Sequence, residues 1–273
     1  MKRKPCVAGS FYPGQKDELL KAIERMTDSA AAKERALAVI VPHAGYDYSG
    51  PVAGAVFSSV EIPKTVVILG PGHRDIKSLL AVQREGSWLT PLGESAIESD
   101  LASLILKLSP LASEDERSHL WEHSLEVELP FIQYFEKGAA IVPVCVSYET
   151  SYEDLEAFGR SLAAAVRAYG RAVLIVASTD MSHYVSQKTA EAQDALAIRK
   201  ILELDARGLF DTVRNRGITM CGFQPTAAAL VAAIELGAAR AELVRYQTSG
   251  DRTGDFSQVV GYAGIRILPG TPS

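Results

Sequence analysis

Cysteine is scarce in this chain. There are three in 273 residues, at positions 6, 145 and 221, widely spaced and with no C-x-x-C pair. An odd number so placed excludes a disulfide framework and leaves the thiols reduced. Long apolar runs are also missing; none approaches the roughly 20 residues that span a bilayer. The basic start, Met1-Lys2-Arg3-Lys4-Pro5-Cys6, is not followed by the apolar stretch of a signal peptide. The chain is therefore expected in the cytosol. Excess positive charge is absent, with 28 basic against 33 acidic side chains and a net charge of −5. A surface that coats nucleic acid would need the opposite balance. Low-complexity stretches, internal repeats and Pro/Gly-rich linkers are absent too, so residues 1–273 are read as a single domain. What remains is an ordinary globular composition, 47% apolar and 22% charged. Histidine is limited to five residues, so their positions carry information.

The apolar residues fall into short continuous runs: Ala36–Pro42, Thr65–Gly70, Ala139–Val146 and Arg171–Ala177. Runs of this length, rich in β-branched residues and not alternating with polar ones, predict strands covered on both faces. Amphipathic segments lie between them, and helices are expected over Gln15–Met26, Glu94–Leu108, Trp121–Phe135, Tyr152–Tyr169, Gln187–Leu204 and Pro225–Leu236. The last is almost wholly alanine and aliphatic and should be buried. Ala241–Gln247 and Gln258–Leu268 read as further strands. The fold class is α/β, a central mainly parallel or mixed sheet flanked by helices.

Three polar clusters follow strands directly. One begins at His43, a second is Pro71-Gly72-His73-Arg74, and the third is Ser178-Thr179-Asp180-Met181-Ser182-His183-Tyr184. Ligands of open α/β sheets bind beyond the carboxyl ends of the strands, so the clusters should converge on one sheet edge. His43 and His73 are 30 residues apart, about one βαβ unit, which places them on adjacent strands. Neutral imidazoles there are good ligands for a transition metal. Asp180, Glu122 and the Cys221 thiolate are the candidate anionic ligands, and Gly45, Gly70 and Gly72 would let backbone approach a bound group. Plainer roles stand beside these. Asp180 can cap a helix starting near Ser182, Cys6 and Cys145 read as structural, and His119 reads as solvated. The glutamates from Glu122 onward suit the first turns of a helix.

Taken in order, the motifs resemble those of the Memo family, a branch of the LigB-like class III extradiol dioxygenase superfamily. They are Pro5-Cys-Val-Ala-Gly-Ser-Phe-Tyr-Pro13, Pro42-His-Ala-Gly-Tyr-x-Tyr-Ser-Gly50, Leu69-Gly-Pro-Gly-His73, Glu122-His-Ser-x-Glu-x-x-Leu-Pro130, Ser178-Thr-Asp-Met-Ser-His183, Met220-Cys-Gly222 and Gly254-Asp-Phe-Ser-x-Val-Val-Gly-Tyr262. The resemblance implies a LigB-like dioxygenase fold with a metal pocket at the strand ends. It implies His43 and His73 as metal ligands, with Cys221 taking the third position that a carboxylate fills in the dioxygenase branch. His183 matches the acid/base histidine, His123 the histidine that contacts substrate oxygen, and Asp180 a pocket acid. A thiolate shifts metal preference toward iron or copper, with zinc as the further candidate. It also separates this chain from ring cleavage as such.

Three functions are therefore weighed. The first is a metal-dependent oxidoreductase acting on an unknown small molecule, with Asp180 orienting His183. The second is a metal-free site in which His183 activates Cys221 as a nucleophile. The third is a non-enzymatic module that uses the same pocket for a peptide or protein partner. The resemblance also implies partners of AMMECR and radical-SAM type, while charge and the lack of a long apolar run imply neither a nucleic acid nor a membrane.

Overall fold

The computed structural model describes residues 1–74 and 76–270. In chain order its elements are β1 (Lys2–Arg3), α1 (Lys16–Met26), β2 (Ala38–Val41), α2 (Tyr46–Ser58), β3 (Thr65–Pro71), β4 (Leu80–Val82), β5 (Ser87–Thr90), β6 (Gly93–Ala96), α3 (Ser99–Leu108), β7 (Ala112–Glu114) and α4 (Leu129–Phe135). They continue with β8 (Ala140–Val146), α5 (Tyr152–Tyr169), β9 (Val173–Ser178), β10 (His183–Val185), α6 (Gln187–Leu202), α7 (Ala206–Arg216), α8 (Phe223–Glu235), β11 (Ala238–Thr248), α9 (Gly250–Thr253) and β12 (Val259–Pro269).

The four continuous apolar runs are the centre of a mixed nine-stranded sheet, ordered β10-β12-β2-β9-β3-β8-β4-β7 with β11 paired to the far side of β12. Strands β2, β9, β3 and β8 run parallel, while β12 and β4 flank them antiparallel. Every residue of β2 and β3 is buried. This is why no polar alternation is visible in them: helices cover both faces of the sheet. The strands bearing His43 and His73 are not neighbours, because β9 lies between β2 and β3. The third cluster, at the end of β9, thus emerges between the other two.

Helix starts and stops follow local chemistry. Ser151 and Asp154 close a reciprocal capping box at the start of α5, and Gly170 ends that helix in the left-handed region at φ 71°. Helix α8 is buried over Gln224–Ala233, as its alanine-rich sequence predicts, and packs against α5. Two expected helices are shorter than the periodicity implied. Gly93–Ala96 pairs with β5 as a hairpin, so that helix starts only at Ser99. Within Trp121–Phe135 only Leu129–Phe135 is helical. Pro130 sits in its first turn, where a missing N–H costs nothing; inside a longer helix it would break a bond and clash with the turn before. Helices α2 and α7 were not foreseen. Gly50, Pro51 and Gly54 disguise α2; a Cβ on Gly54 would lie 2.1 Å from the Met26 carbonyl, so glycine is what lets α1 and α2 touch.

A separate three-stranded sheet, β1-β5-β6, ties the N-terminus to the body. Among the described residues no helix is long and apolar enough to cross a membrane.

Candidate functional site

The loops leaving β2, β3 and β9 meet the segment 119–128 above the sheet edge. His43 is buried, two residues beyond β2. Its backbone N–H donates to Asp180 Oδ1 at 2.9 Å, its Nδ1 lies 2.7 Å from Ser178 Oγ, and its Nε2 lies 3.3 Å from Cys221 Sγ. His73, two residues beyond β3, is gripped by one carboxylate. Its backbone N–H donates to Glu122 Oε2 at 2.6 Å and its Nδ1 to Glu122 Oε1 at 2.9 Å. His123 completes the group, its Nδ1 3.5 Å from the same Oε1. The ring of His43 stands nearly perpendicular to the other two, with centroids 5.3 Å from His73 and 5.5 Å from His123, while those two stack at 4.6 Å.

The three imidazoles present ligand atoms within 4.8 Å of one another, the one such set of three or more metal-type donors among the described residues. Cys221 adjoins that set through His43 and stands outside it. Imidazole–metal bonds run about 2.0–2.1 Å, so nitrogens sharing one ion stand roughly 3–4 Å apart. The observed spacing needs only small ring rotations, and the outer nitrogens of His43 and His73 are already tied back to Ser178 and Glu122. The donor set therefore fits a transition-metal ion.

The sequence motif that supplies His123 works differently from a charged helix start. Glu122, Glu126 and Glu128 are fully buried, and each has its own task. Glu122 holds His73. Glu126 receives Arg3 Nη1 at 2.7 Å, the backbone N–H groups of Cys6 and Val7, and the Tyr12 hydroxyl, which clamps the N-terminal segment to the site loop. Glu128 Oε1 lies 2.9 Å from Ser178 Oγ. Arg3 also donates to the carbonyls of His119 and Glu122, so one buried guanidinium brackets the loop that carries His123. Gly70 lets that loop close: a Cβ there would lie 2.6 Å from Ser124 Oγ. The close approach foreseen at Gly70 is thus made by a side chain.

Burial sets the charge states. It pushes His43 well below the usual imidazole range, helped by the neighbouring imidazoles of His123, His73 and His183. His123 is lowered chiefly by burial too, with His73 and Arg74 adding to it. Both are therefore neutral at physiological pH, the form that binds metals. Burial raises the Glu122 carboxyl, but the His73 hydrogen bond, the Ser124 N–H and the His123 ring outweigh it, and the group falls to about 2. Asp180 moves the other way, to about 6, because burial outweighs its contacts with His183 and the N–H groups of His43 and Ala44. Burial and the Asp180 charge raise the Cys221 thiol above its ordinary value. That direction is opposite to what a metal-free nucleophilic cysteine requires.

Asp180 does not cap a helix, since α6 begins only at Gln187. Nor does it orient His183, whose Nδ1 meets the Thr219 carbonyl at 2.8 Å. His119 is not solvated: it is fully buried, with Nε2 3.1 Å from the Ala81 carbonyl and Nδ1 3.3 Å from Cys145 Sγ.

A cavity of about 560 Å³ opens beside His123, lined also by Cys6, Phe11, Arg74, Arg117 and Trp121. The motifs that build it and the imidazole cluster extend through most of the chain. A model of the Memo-like protein family matches residues 3–266. The chain belongs to the Memo-like family. A MEMO1 family protein of Methanothermobacter thermautotrophicus is 41% identical over 96% of this chain and 99% of its own length. One of Aquifex aeolicus is 41% identical over 97% and 99%. Among solved structures, an uncharacterized protein of Escherichia coli K12, JW3007, superposes with a TM-score of 0.55 over 85% of this chain and 99% of its own. At 14% identity that likeness concerns the α/β fold alone. Within the Memo-like family frame, sequence reasoning passed over Arg3, Glu126, Ser178 and Glu128. The signal for three of them was their place inside motifs already singled out; for Arg3, beside the first motif, there was only a charge near the N-terminus.

Proposed function

We propose that this Memo-like chain is a metal-dependent redox protein with a pocket of the non-haem dioxygenase kind. His43, His73 and His123 would hold an iron or copper ion, zinc being the alternative, with Cys221 close enough to His43 to join. The observation that carries this reading is the convergence of three imidazoles from three separate stretches of chain, two of them with their outer nitrogens already fixed. Such an ion would supply Lewis-acid and one-electron chemistry to a bound molecule. Glu122 keeps His73 in the tautomer that leaves Nε2 free. His183, held by Thr219, and Asp180, with a carboxyl that titrates near pH 6, are the proton-handling groups. Arg74 and Arg117 give the cavity beside His123 a positive lining, suited to an anionic substrate with an apolar body.

Elemental analysis of protein prepared without chelator and reloaded anaerobically with Fe(II), copper or zinc tests this directly. About one ion per chain is expected, and His43→Ala should bind at least roughly 100-fold more weakly. Absence of stoichiometric metal in the reloaded wild type would refute the reading.

One observation favours a binding role instead. The Trp121 ring is 69% exposed at the rim of this cavity, where it could receive a peptide or protein partner. In that case ligand binding would survive His43→Ala.

A further inference from the structure

Ser178 Oγ has three close neighbours and one proton to give. The Ser124 carbonyl lies at 2.6 Å, His43 Nδ1 at 2.7 Å and Glu128 Oε1 at 2.9 Å. A hydroxyl donates once and accepts twice, and a carbonyl only accepts. The 2.6 Å contact with Ser124 therefore takes the serine proton, since two bare oxygens at that distance would repel. His43 Nδ1 and Glu128 Oε1 must then both donate to Ser178. For Glu128 that requires a protonated carboxyl. Its second oxygen, Oε2, is buried without a partner. A neutral carbonyl oxygen can be left so at modest cost, whereas half of a buried carboxylate cannot.

We infer that Glu128 is a neutral carboxylic acid that donates its proton to Ser178, and that this arrangement pins His43 as the Nδ1–H tautomer with its Nε2 lone pair turned toward Cys221. Glu128 and Ser178 are thus positioning residues that never touch the ion. The far side of His43 agrees with the count. The Cys221 thiol, 3.3 Å from Nε2, has a lone pair to donate to, and its sulfur accepts the Asp180 N–H at 3.3 Å. Burial raises the Glu128 carboxyl in the same direction. The chain of protons is unbroken, from Glu128 and His43 into Ser178 and from Ser178 to Ser124. Its purpose in the proposed centre is to present a ready lone pair without reorganisation on binding.

The inference rests on the metal reading only for that purpose; the two protons can be located without metal. In the full-length chain labelled with 15N-histidine and kept metal-free, the His43 resonances, assigned by their loss in His43→Gln, should be those of the Nδ1–H tautomer. An infrared difference spectrum between wild type and Glu128→Gln should contain the C=O band of a protonated carboxyl. An Nε2–H tautomer, or loss of carboxylate bands in the difference spectrum, would overturn the inference. Zinc titration then tests the positioning role. Ser178→Ala should weaken binding roughly 10–100-fold while Glu128→Gln, which keeps a donor, stays near wild type. Equal affinity in Ser178→Ala would overturn that role. Failure of the wild type itself to bind zinc, iron or copper would refute the metal reading, and the two spectra would still decide the proton positions.

Discussion

Two cysteine–histidine pairs in this molecule have the same geometry and different prospects. Cys221 meets His43 at 3.3 Å, and Cys145 meets His119 at 3.3 Å. Both imidazoles are buried and both are pushed toward the neutral form, His119 to about 4 by burial and then by the nearby Arg3. The difference lies in what stands beside each ring. His119 spends its second nitrogen on the Ala81 carbonyl, packs against Trp88, and faces a thiol on the central strand β8. Nothing in that pair remains unsatisfied. His43 spends its outer nitrogen on Ser178 and leaves the inner one facing a thiol, with the rings of His73 and His123 alongside. Proximity of sulfur and imidazole is thus common to both. Unspent lone pairs converging next to a cavity belong to one of them.

The comparison can be broken at the residue both regions share. Arg3 bonds the His119 carbonyl on one side and Glu126 on the other. Arg3→Met should strand a buried carboxylate and cost about 3–5 kcal/mol of stability in urea unfolding. A loss below about 1 kcal/mol, the range of an exposed pair, would show that the clamp is not what seals the N-terminus to the site.

A second way to sharpen it is pH. His119 titrates at 6.5 unfolded and about 4 folded, so its contribution to stability is complete above pH 6.5 and is lost as pH falls from 6.5 toward 4. Its size is about 3 kcal/mol. Asp180 works in the opposite sense: its folded carboxyl keeps a proton up to about pH 6, which lessens the loss in both wild type and variant. His119→Leu should be less stable than wild type at pH 7 and lose less on going to pH 4.5. Parallel pH curves for the two would contradict the sealed, neutral ring.

The smallest effects separate the two sulfurs. Cys145→Ala removes one methyl-sized buried group and should cost about 1 kcal/mol without altering metal binding. Cys221→Ala should change unfolding less, and it should remove the thiolate-to-metal charge-transfer band of a cobalt-loaded sample. If that band is absent from the wild type, Cys221 does not join the three imidazoles.

How much of this was legible beforehand differs between sheet and site. The core strands announced themselves because double burial forces continuous apolar runs, and α5 and α8 because their periodicity is undisturbed. Strand order was not legible, since the insertion of β9 between β2 and β3 depends on crossovers that leave no local trace. His43, His73 and Cys221 stood out because histidine and cysteine are rare here. The buried carboxyl groups of Glu126 and Glu128 did not. Glutamate before a helix is ordinary on a surface, and only the partners Arg3 and Ser178, 123 and 50 residues away, reveal their burial. His119 was misread for the same reason: charged neighbours such as Asp115 and Glu116 suggested solvent, while Arg3 and Trp88 enclose it from elsewhere in the chain.

The pairing of β12 with β2 has a consequence for how the protein is made. The last strand of the chain lies directly beside the first strand of the central sheet. During synthesis β2 precedes β12 and waits with one edge bare until some 220 further residues have been translated. That places a premium on keeping the waiting edge from pairing with a stranger.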